Sequence, residues 1–398
     1  SRFAKDYRWG WFPSVSLGWN ISNEPFMENV EGIDLKFRMS YGKTGNQEGI
    51  GNYAYQPKLS AGYNYGSESG FAVSDFGNEQ LTWEKADQFD VGLDMGFFND
   101  RLTIIVDGYL KNTTDLLYSM PVHGTTGRTT MLTNIGSMQN KGIEFQLDGY
   151  IFRSNDFYWR LATTGYMNRN KITKIDKALE EINKENQENA DLYLTPLPQY
   201  AEGESVTALK LVRSAGIDPA TGKEVYIKRN GEYTFDYDPA DKVLIGDTEP
   251  AFAGTFSTNL YWKGFSVYAL LNFRTGALVY NTTRATKVEG ADPMRNADQR
   301  VFDDRWKQPG DHALYKDIAD TSRPEQTDRF AEKEHTLSLG SLNLSYEFSD
   351  KLCKRIKLRN LRAGINFTDI LRLSTVKIER GTDYLYSQGF EFYLNVTL

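Results

Sequence analysis

Carboxylate pairs are the first groups in this 398-residue sequence with a capacity for chemistry, because two carboxyl groups can act as general acid and base. A glycosidase holds two such groups about 5–9.5 Å apart across the sugar. Asp90 and Asp94 are predicted to lie on one face of a strand, and four residues of strand separate them by about 13 Å. Neither glycosidase mechanism fits that separation. Since no phosphate loop, nucleophile elbow or metal cluster is found either, we predict that the chain is not an enzyme.

Metal binding has one weak candidate. The segment DYDPADK at 236–242 spaces Asp236, Asp238 and Asp241 loosely like a calcium loop, but it lacks the glycine and the closing glutamate of an EF-hand. We interpret it as a turn and keep calcium on an outer loop as the alternative. No other cofactor is predicted. The single cysteine, Cys353, excludes an internal disulfide and a cysteine zinc site.

Non-covalent substrate binding is the better-supported chemistry. Aromatic rings beside polar groups suit sugars and peptides equally, and the predicted long loops contain Tyr193, Tyr200, Tyr226, Trp306 and Tyr315. The polar faces of the predicted strands add ionisable groups that keep a channel wet. The candidates among them are Asp94, Glu144, Asp148 and Arg274.

The charge balance limits the partners. The net charge is −7, from 46 basic and 53 acidic residues, and no dense basic stripe is present, so we predict no nucleic-acid partner. The basic segment KLCKRIKLR at 351–359 is interpreted as a solvated turn. No apolar run reaches the roughly 18 residues that a transmembrane helix requires.

The elements that must position these groups are strands with a period of two. In GIEFQLDGYIF at 142–152 and FEFYLNVTL at 390–398, apolar and polar residues alternate, which places them on opposite faces of a strand. Several strands run 9–15 residues, whereas about 5–6 is usual in soluble proteins and about 9–11 are needed to cross a bilayer. Aromatic residues near strand ends are typical of the girdles of outer-membrane barrels. They are Trp9, Trp11, Trp19, Phe97, Phe98, Tyr158, Trp159, Tyr261, Trp262 and Phe348.

The pattern predicts an all-β, antiparallel transmembrane β-barrel with eleven strands. They span about 12–20, 34–43, 84–98, 101–113, 138–153, 156–172, 251–262, 264–276, 334–348, 358–373 and 388–398, with a bulge near Gly340. Short turns alternate with long polar connections at 44–83, 114–137, 173–250 and 275–333, which we assign to the periplasmic and extracellular sides. Segment 178–193 is predicted as a solvated loop with a short helix as an option.

Because single-chain bacterial barrels have even strand numbers, eleven strands are expected to be part of one, about half of a 22-stranded transporter. A sheet with two open edges should not be stable in lipid, so the segment expressed alone is expected to aggregate.

Several blocks, in order and at consistent spacing, resemble the SusC/RagA family of TonB-dependent outer-membrane transporters of Bacteroidetes. They are WGWFPSVSLGWNISNEPFM (9–27), LKFRMSYGKTGNQEGIGNY (35–53), LTWEKADQFDVGLDMGFFNDRLTIIVDGYLKNTTDLL (81–117), TNIGSMQNKGIEFQL (133–147), IDPATGKEVYI (217–227), IGDTEPAFAGTF (245–256), LGSLNLSYEFSDKL (339–352) and IERGTDYLYSQGFEFYLNVTL (378–398).

The resemblance implies a location in the outer membrane and import of oligosaccharides, or of peptides as in RagA. It also implies a SusD-like surface lipoprotein as partner and energy from the TonB complex. Residues 1–398 are then expected to be the C-terminal portion of the barrel, without the plug and the N-terminal strands. The alternative is a surface all-β carbohydrate-binding module, whose apolar strand faces would pack into a sandwich.

Overall fold

The strands dominate the architecture. The computed structural model describes residues 2–121, 130–292, 294–295, 299–377 and 387–398. The described residues form eighteen strands: β1 (Ser14–Asn20), β2 (Ile33–Asn46), β3 (Lys58–Ala61), β4 (Phe71–Asp75), β5 (Glu84–Phe97), β6 (Leu102–Pro121), β7 (Thr130–Arg153), β8 (Phe157–Lys174), β9 (Ala208–Leu211), β10 (Arg213–Ile217), β11 (Glu224–Ile227), β12 (Tyr233–Thr234), β13 (Val243–Asp247), β14 (Phe252–Trp262), β15 (Phe265–Tyr280), β16 (Ala331–Glu347), β17 (Asn360–Ser374) and β18 (Gly389–Thr397).

Helices are short and lie in the connections. They are α1 (Lys177–Glu188), α2 (Asp350–Arg355), a π-helical turn at Arg284–Glu289, and 3₁₀ turns at Lys5–Tyr7, Ile21–Asn23, Pro25–Met27, Ala190–Leu192, Pro239–Asp241, Gln299–Val301 and Asp328–Phe330. None of the helices in the described ranges is both long and apolar enough to cross a membrane.

Eleven strands form one antiparallel sheet in the order β1-β2-β5-β6-β7-β8-β14-β15-β16-β17-β18. Each strand pairs with its neighbour along the chain once the short loop strands are set aside, which is the connectivity of an up-and-down barrel wall. The predicted all-β fold and the eleven strands are confirmed. β1 and β18 are the outer strands of the sheet, and no strand among the described residues pairs with their outer edges.

The connections alternate between two ends of the sheet. At the short-loop end lie residues 98–101, 154–156 and 263–264, together with 21–32 and 348–359. At the long-loop end lie 47–83, 175–251 and the described residues of 281–330 and 375–388, whereas the connection between β6 and β7 falls outside the described residues. The short turns at 98–101, 154–156 and 263–264 and the long connections predicted at 44–83, 173–250 and 275–333 are confirmed to within a few residues.

Aromatic rings gather at the short-loop end, as the sequence predicted. On the apolar face Phe152 lies against Phe157 with ring centroids 6.0 Å apart, and Phe265 contacts Tyr346 at 4.4 Å. The apolar face of the sheet is solvent-accessible along its length: Phe392 on β18 is 74% exposed. An apolar face left open below a ring of aromatic residues is what a barrel wall presents to lipid.

Three local predictions need correction or completion, and a fourth is confirmed. The predicted loop 114–137 is too long, because β6 and β7 stay paired up to Pro121 and Thr130. Segment 351–359 begins with helix α2, since Cys353 is buried at 1% exposure and anchors it, rather than forming a solvated turn. Segment 178–193, predicted as a solvated loop or a short helix, contains the helix α1. Leu179 and Ile182 on α1 are buried against the strands. The bulge predicted near Gly340 is confirmed, since the register of β16 shifts there against both neighbouring strands.

Candidate functional site

The two longest connections fold together at the long-loop end. We call the described residues of 175–251 and 281–330 the loop unit. Val212 lies at its centre: it forms a parallel bridge with Thr327, its backbone N–H donates to the Gln326 carbonyl at 3.3 Å, and its carbonyl accepts from Asp328 at 3.0 Å. The core of the unit is apolar and closed to water, and contains Leu209, Leu211, Val212, Ile217, Tyr226, Val288, Val301, Tyr315 and Phe330.

A buried ion cluster joins the two connections. The Arg329 guanidinium donates to Glu224 at 2.8 Å and to Glu289 at 2.6 Å, and both carboxylates are 1% exposed. Thr327 donates a further hydrogen bond to Glu224 at 2.9 Å. Burial acts most strongly and lowers the pKa of Arg329, but the hydrogen bonds and charges of the two carboxylates outweigh it and raise the pKa above the ordinary value. The Arg329 guanidinium therefore stays charged inside the unit.

Two other buried polar side chains satisfy backbone carbonyls. Arg305 donates to the carbonyls of Val288, Glu289, Val301 and Lys316 at 2.6–3.1 Å. Gln326 donates to the carbonyls of residues 190, 193 and 195, while its side-chain oxygen accepts from the buried Lys242 at 2.8 Å. Irregular backbone can be buried only when its polar groups find partners, so these residues make the loop unit an ordered body rather than two free loops.

The five predicted loop aromatics all lie in or next to this unit, in different surroundings. Tyr226 and Tyr315 are buried, at 8% and 6% exposure, and Tyr315 accepts a hydrogen bond from Arg284 at 3.1 Å. Burial, with the nearby carboxylates, raises the pKa of the Tyr226 hydroxyl. Both rings contact protein on nearly all sides, which leaves little of either surface for a ligand.

The other three aromatics are more accessible. Trp306 lies over Gly222, where an added Cβ would come within 2.6 Å of the indole, and its ring N–H donates to the Pro219 carbonyl at 2.9 Å. Tyr200 packs against the cluster beneath α1, and burial raises its pKa. Tyr193 is 49% exposed, and of the five it offers a ligand the most open ring.

The loop unit also contains a cavity that the sequence did not predict. Its volume is about 740 Å³, and it lies between residues 282–292 and 320–324, with Leu194 at its edge. Its lining is rich in hydroxyls and in charges of both signs: Thr282, Thr283, Thr286, Thr321, Ser322, Lys287, Asp320 and Arg323. The short polar runs TTRATK at 282–287 and DTSR at 320–323 were the available signal in the sequence.

The polar face of the sheet holds three of the four predicted ionisable candidates in ion pairs. Arg38 bridges Asp94 at 2.7 Å and Asp107 at 2.9 Å. This pairing of Arg38 with two carboxylates requires glycine at position 92, because a Cβ on Gly92 would come within 2.2 Å of the Asp107 carboxylate. Glu144 lies on the same face and is exposed.

Two further candidates on this face are paired with residues of the adjoining strands. Asp148 accepts two hydrogen bonds from Arg160, at 2.9 and 2.6 Å. Arg274 and Arg372 both contact Glu334, each at 3.1 Å. The structure thus places the wall candidates on one face of a single continuous sheet.

The two predicted turns are well defined. In IDPATGKEV the Asp218 carboxylate accepts from the backbone N–H groups of Ala220 and Thr221 and from the Thr221 hydroxyl, and Gly222 adopts a positive φ of 71°. Those hydrogen bonds lower the pKa of Asp218. The hairpin predicted at 217–225 is confirmed by the pairing of β10 with β11.

Carboxylates of segment 236–242 also accept hydrogen bonds from backbone N–H groups. Asp238 accepts from the N–H of Ala240 at 2.8 Å, and Asp241 accepts from the N–H of Arg229 at 3.0 Å. In the part of the chain that the structure describes, no three His, Cys, Asp or Glu side chains are grouped to hold a metal ion. Calcium binding by this segment stays a prediction.

Comparison with known proteins agrees with this architecture. A family model described as the TonB-dependent receptor-like β-barrel matches residues 1–366. The TonB-dependent receptor SusC of Bacteroides thetaiotaomicron is 33% identical over 305 residues, and the TonB-dependent receptor P39 of Formosa agariphila is 27% identical over 409 residues. These matches cover 68% and 92% of this chain.

Solved structures give the same result. The RagAB peptide transporter superposes with a TM-score of 0.80 at 27% identity over 94% of this chain, and the RagAB peptide importer in its open-open state with 0.80 at 25% over the whole chain. This chain spans 39% of P39, 28% of SusC and 41–44% of those RagAB chains. The chain therefore belongs to the TonB-dependent receptor-like β-barrel family and is an outer-membrane protein.

Proposed function

We propose that this chain forms part of an importer that moves a large nutrient across the outer membrane with energy from the TonB complex. The observation that carries the proposal is one continuous polar wall, lined by paired charges, that ends at an ordered loop unit with a polar cavity. The polar face of the sheet offers hydrogen-bonding groups to a substrate along the transport path. The ordered loop unit at its outer end can select which substrates enter that path. Neither requires covalent chemistry, so the proposed activity is non-catalytic binding and translocation.

We propose further that residues 1–398 are the C-terminal portion of a barrel of about 22 strands. Two features support this. Among the described residues no strand pairs with the outer edges of β1 and β18, and open edges are not tolerated within lipid. The chain also spans 41–44% of the RagAB chains that it resembles.

The proposed partners are a SusD-like surface lipoprotein that covers the loop unit, and TonB on the periplasmic side. The proposed substrate is an oligosaccharide or a peptide. The name of the RagAB structures, a peptide importer, favours a peptide, and an oligosaccharide is the alternative that the SusC/RagA resemblance implies. Among the site candidates, the exposed groups Tyr193, Glu144 and Arg274 are the best placed to contact substrate. A separate surface carbohydrate-binding module is disfavoured, because the family is a membrane barrel.

Uptake by cells tests this proposal. A deletion strain, complemented with the complete receptor, is given fluorescent oligosaccharides and fluorescent peptides of similar mass. We expect one class to accumulate only with the receptor and only when TonB is present. Equal uptake of both classes with and without the receptor would refute the proposal. Uptake that depends on the receptor but not on TonB would reject the energy source.

A further inference from the structure

A groove runs along the apolar, lipid-facing side of β5–β8, far from the polar wall. Its volume is about 610 Å³, and its apolar sides are formed by Phe89, Val91, Leu110, Ile143 and Met167. Ile143 and Met167 are 55% and 51% exposed, so the groove is open to the lipid that surrounds the barrel.

Gly108 forms the floor of the groove. In the sheet it lies directly between Val91 and Ile143, with Val91 as its partner on β5 and Ile143 as its partner on β7. An added Cβ at Gly108 would meet nothing closer than a backbone oxygen at 4.0 Å. The groove therefore exists because a lipid-facing position carries no side chain, and not because the backbone is distorted.

Two cations stand side by side at one end of this groove. Lys141 on β7 and Arg169 on β8 are direct cross-strand partners, both are exposed, and both line the groove. Lys171, two residues further along the same face of β8, adds a third positive charge. Like charges placed opposite each other on neighbouring strands destabilise a sheet, so a bound anion would stabilise this arrangement.

Other lipid-facing cations near this end have carboxylate partners. Lys43 contacts Asp87 at 3.1 Å, and Lys85 contacts Asp115 at 3.0 Å. No carboxylate of the described residues forms an ion pair with Lys141 or Arg169. An anion that compensates this pair would therefore come from outside the described residues.

The depth of Lys141 and Arg169 in the membrane indicates which kind of anion they meet. On β7 the lipid-facing apolar positions run from Ile143 to Ile151, eight residues or about 26 Å along the strand, which is about 20 Å of membrane depth at a tilt near 40°. An apolar band about 25 Å tall is typical of outer-membrane barrels. Lys141 and Arg169 lie just beyond this band, at the long-loop end, which is the extracellular side. They are therefore at the level of the headgroups of the outer leaflet.

We propose that this groove binds one phosphate-bearing lipid of the outer leaflet. An acyl chain lies over Gly108 between the apolar walls, and the headgroup phosphate lies between Lys141 and Arg169. Guanidinium groups bind phosphate oxygens in a bidentate manner, and a lysine adds a point charge. The site is separate from the transport path, so it holds the receptor to its lipid surroundings without contacting substrate.

Lipid binding to the complete receptor in neutral-detergent micelles tests the proposal, with native mass spectrometry as the readout. The probes are monophosphoryl lipid A, a diacylglycerol without phosphate, and inorganic phosphate alone. We expect one tightly retained lipid A, and much weaker retention of the other two. Lys141→Gln combined with Arg169→Gln should weaken lipid A binding about thirty-fold, since each basic group near an anionic lipid contributes roughly fivefold.

Two further variants separate the parts of the site. Gly108→Leu fills the groove without a change in charge and should weaken lipid A binding while leaving the cations in place. Lys351→Gln with Arg355→Gln makes the same change in charge at the short-loop end, so its affinity should equal that of the unmodified receptor. Unchanged affinity in the Lys141/Arg169 variant, or retention of the diacylglycerol as strong as that of lipid A, would overturn the proposal. Equal competition by inorganic phosphate would reduce the site to an anion site and would also overturn it.

Discussion

Removal of the Arg329 side chain should open the loop unit. In Arg329→Met the two carboxylates of Glu224 and Glu289, each 1% exposed, lose the guanidinium that lies 2.8 and 2.6 Å from them. Loss of one partner from a buried ion pair typically costs about 3–5 kcal/mol, because the remaining charge stays buried without compensation. Arg305, a buried arginine of the same loop unit, is already engaged with backbone carbonyls.

Hydrogen exchange of backbone amides measures this cost locally. A loss of about 3–5 kcal/mol corresponds to exchange that is about 10²–10³·⁵ times faster, if the amides exchange through opening of the unit. We expect the faster exchange in β9–β11 and around residues 284–289 and 326–330. The strands β5–β7, which do not contact the cluster, serve as the internal reference and should exchange as before.

A matched variant separates charge from packing. Glu224→Gln, Glu289→Gln and Arg329→Met together remove the charges while keeping most of the side-chain volume. Since a buried ion cluster contributes little net stability over neutral side chains of similar volume, this variant should recover most of the protection. If Arg329→Met exchanges like the unmodified receptor, the reasoning is refuted. A triple variant that exchanges faster than the single one would show that the hydrogen bonds, and not the unbalanced charge, hold the unit.

Three further predictions concern the wall and the outer turn. Phe256→Arg, near the middle of β14 on the lipid face, should lower the free energy of unfolding by about 2–4 kcal/mol, whereas Ser257→Arg on the polar face should cost much less. Urea unfolding of the complete receptor in lipid vesicles compares the two, and equal losses would contradict the assignment of the faces. Gly92→Val should break the ion triad on the polar face and cost about 1–3 kcal/mol in the same assay, because its Cβ would overlap a carboxylate. Trp306→Ala should accelerate amide exchange in the turn at 218–222, since it removes the ring that covers Gly222 and the hydrogen bond to Pro219; unchanged exchange there would argue against this packing.

The strand pattern was predictable from the sequence because it depends on local geometry. Successive side chains on a strand point to opposite faces, so a strand such as β18 shows its two environments in its own residues. The same rule located the bulge at Gly340, where the alternation changes phase. Strand ends were less accurate: β6 and β7 extend beyond the apolar band, and the pairing that continues them is not visible in hydrophobicity.

The candidate site was predictable only in part. The sequence identified aromatic and ionisable residues in the connections and on the polar faces, but it did not separate a buried ring such as Tyr226 from an exposed one such as Tyr193. Nor did it indicate the cavity between residues 282–292 and 320–324, because those two segments meet only in the folded loop unit.

The sequence by itself determined the fold class, the eleven strands, their two faces and the alternation of short and long connections, because each of these is encoded within a few neighbouring residues. Only the tertiary structure decided which distant residues meet. Glu224 and Arg329 are separated by 105 positions, and Asp94 and Arg38 by 56. The proximity of Lys141 and Arg169 was likewise decided by the tertiary structure, because it depends on the register between β7 and β8. Contacts of this kind arise from the balance of burial and charge over the whole fold, so a local sequence pattern cannot predict them.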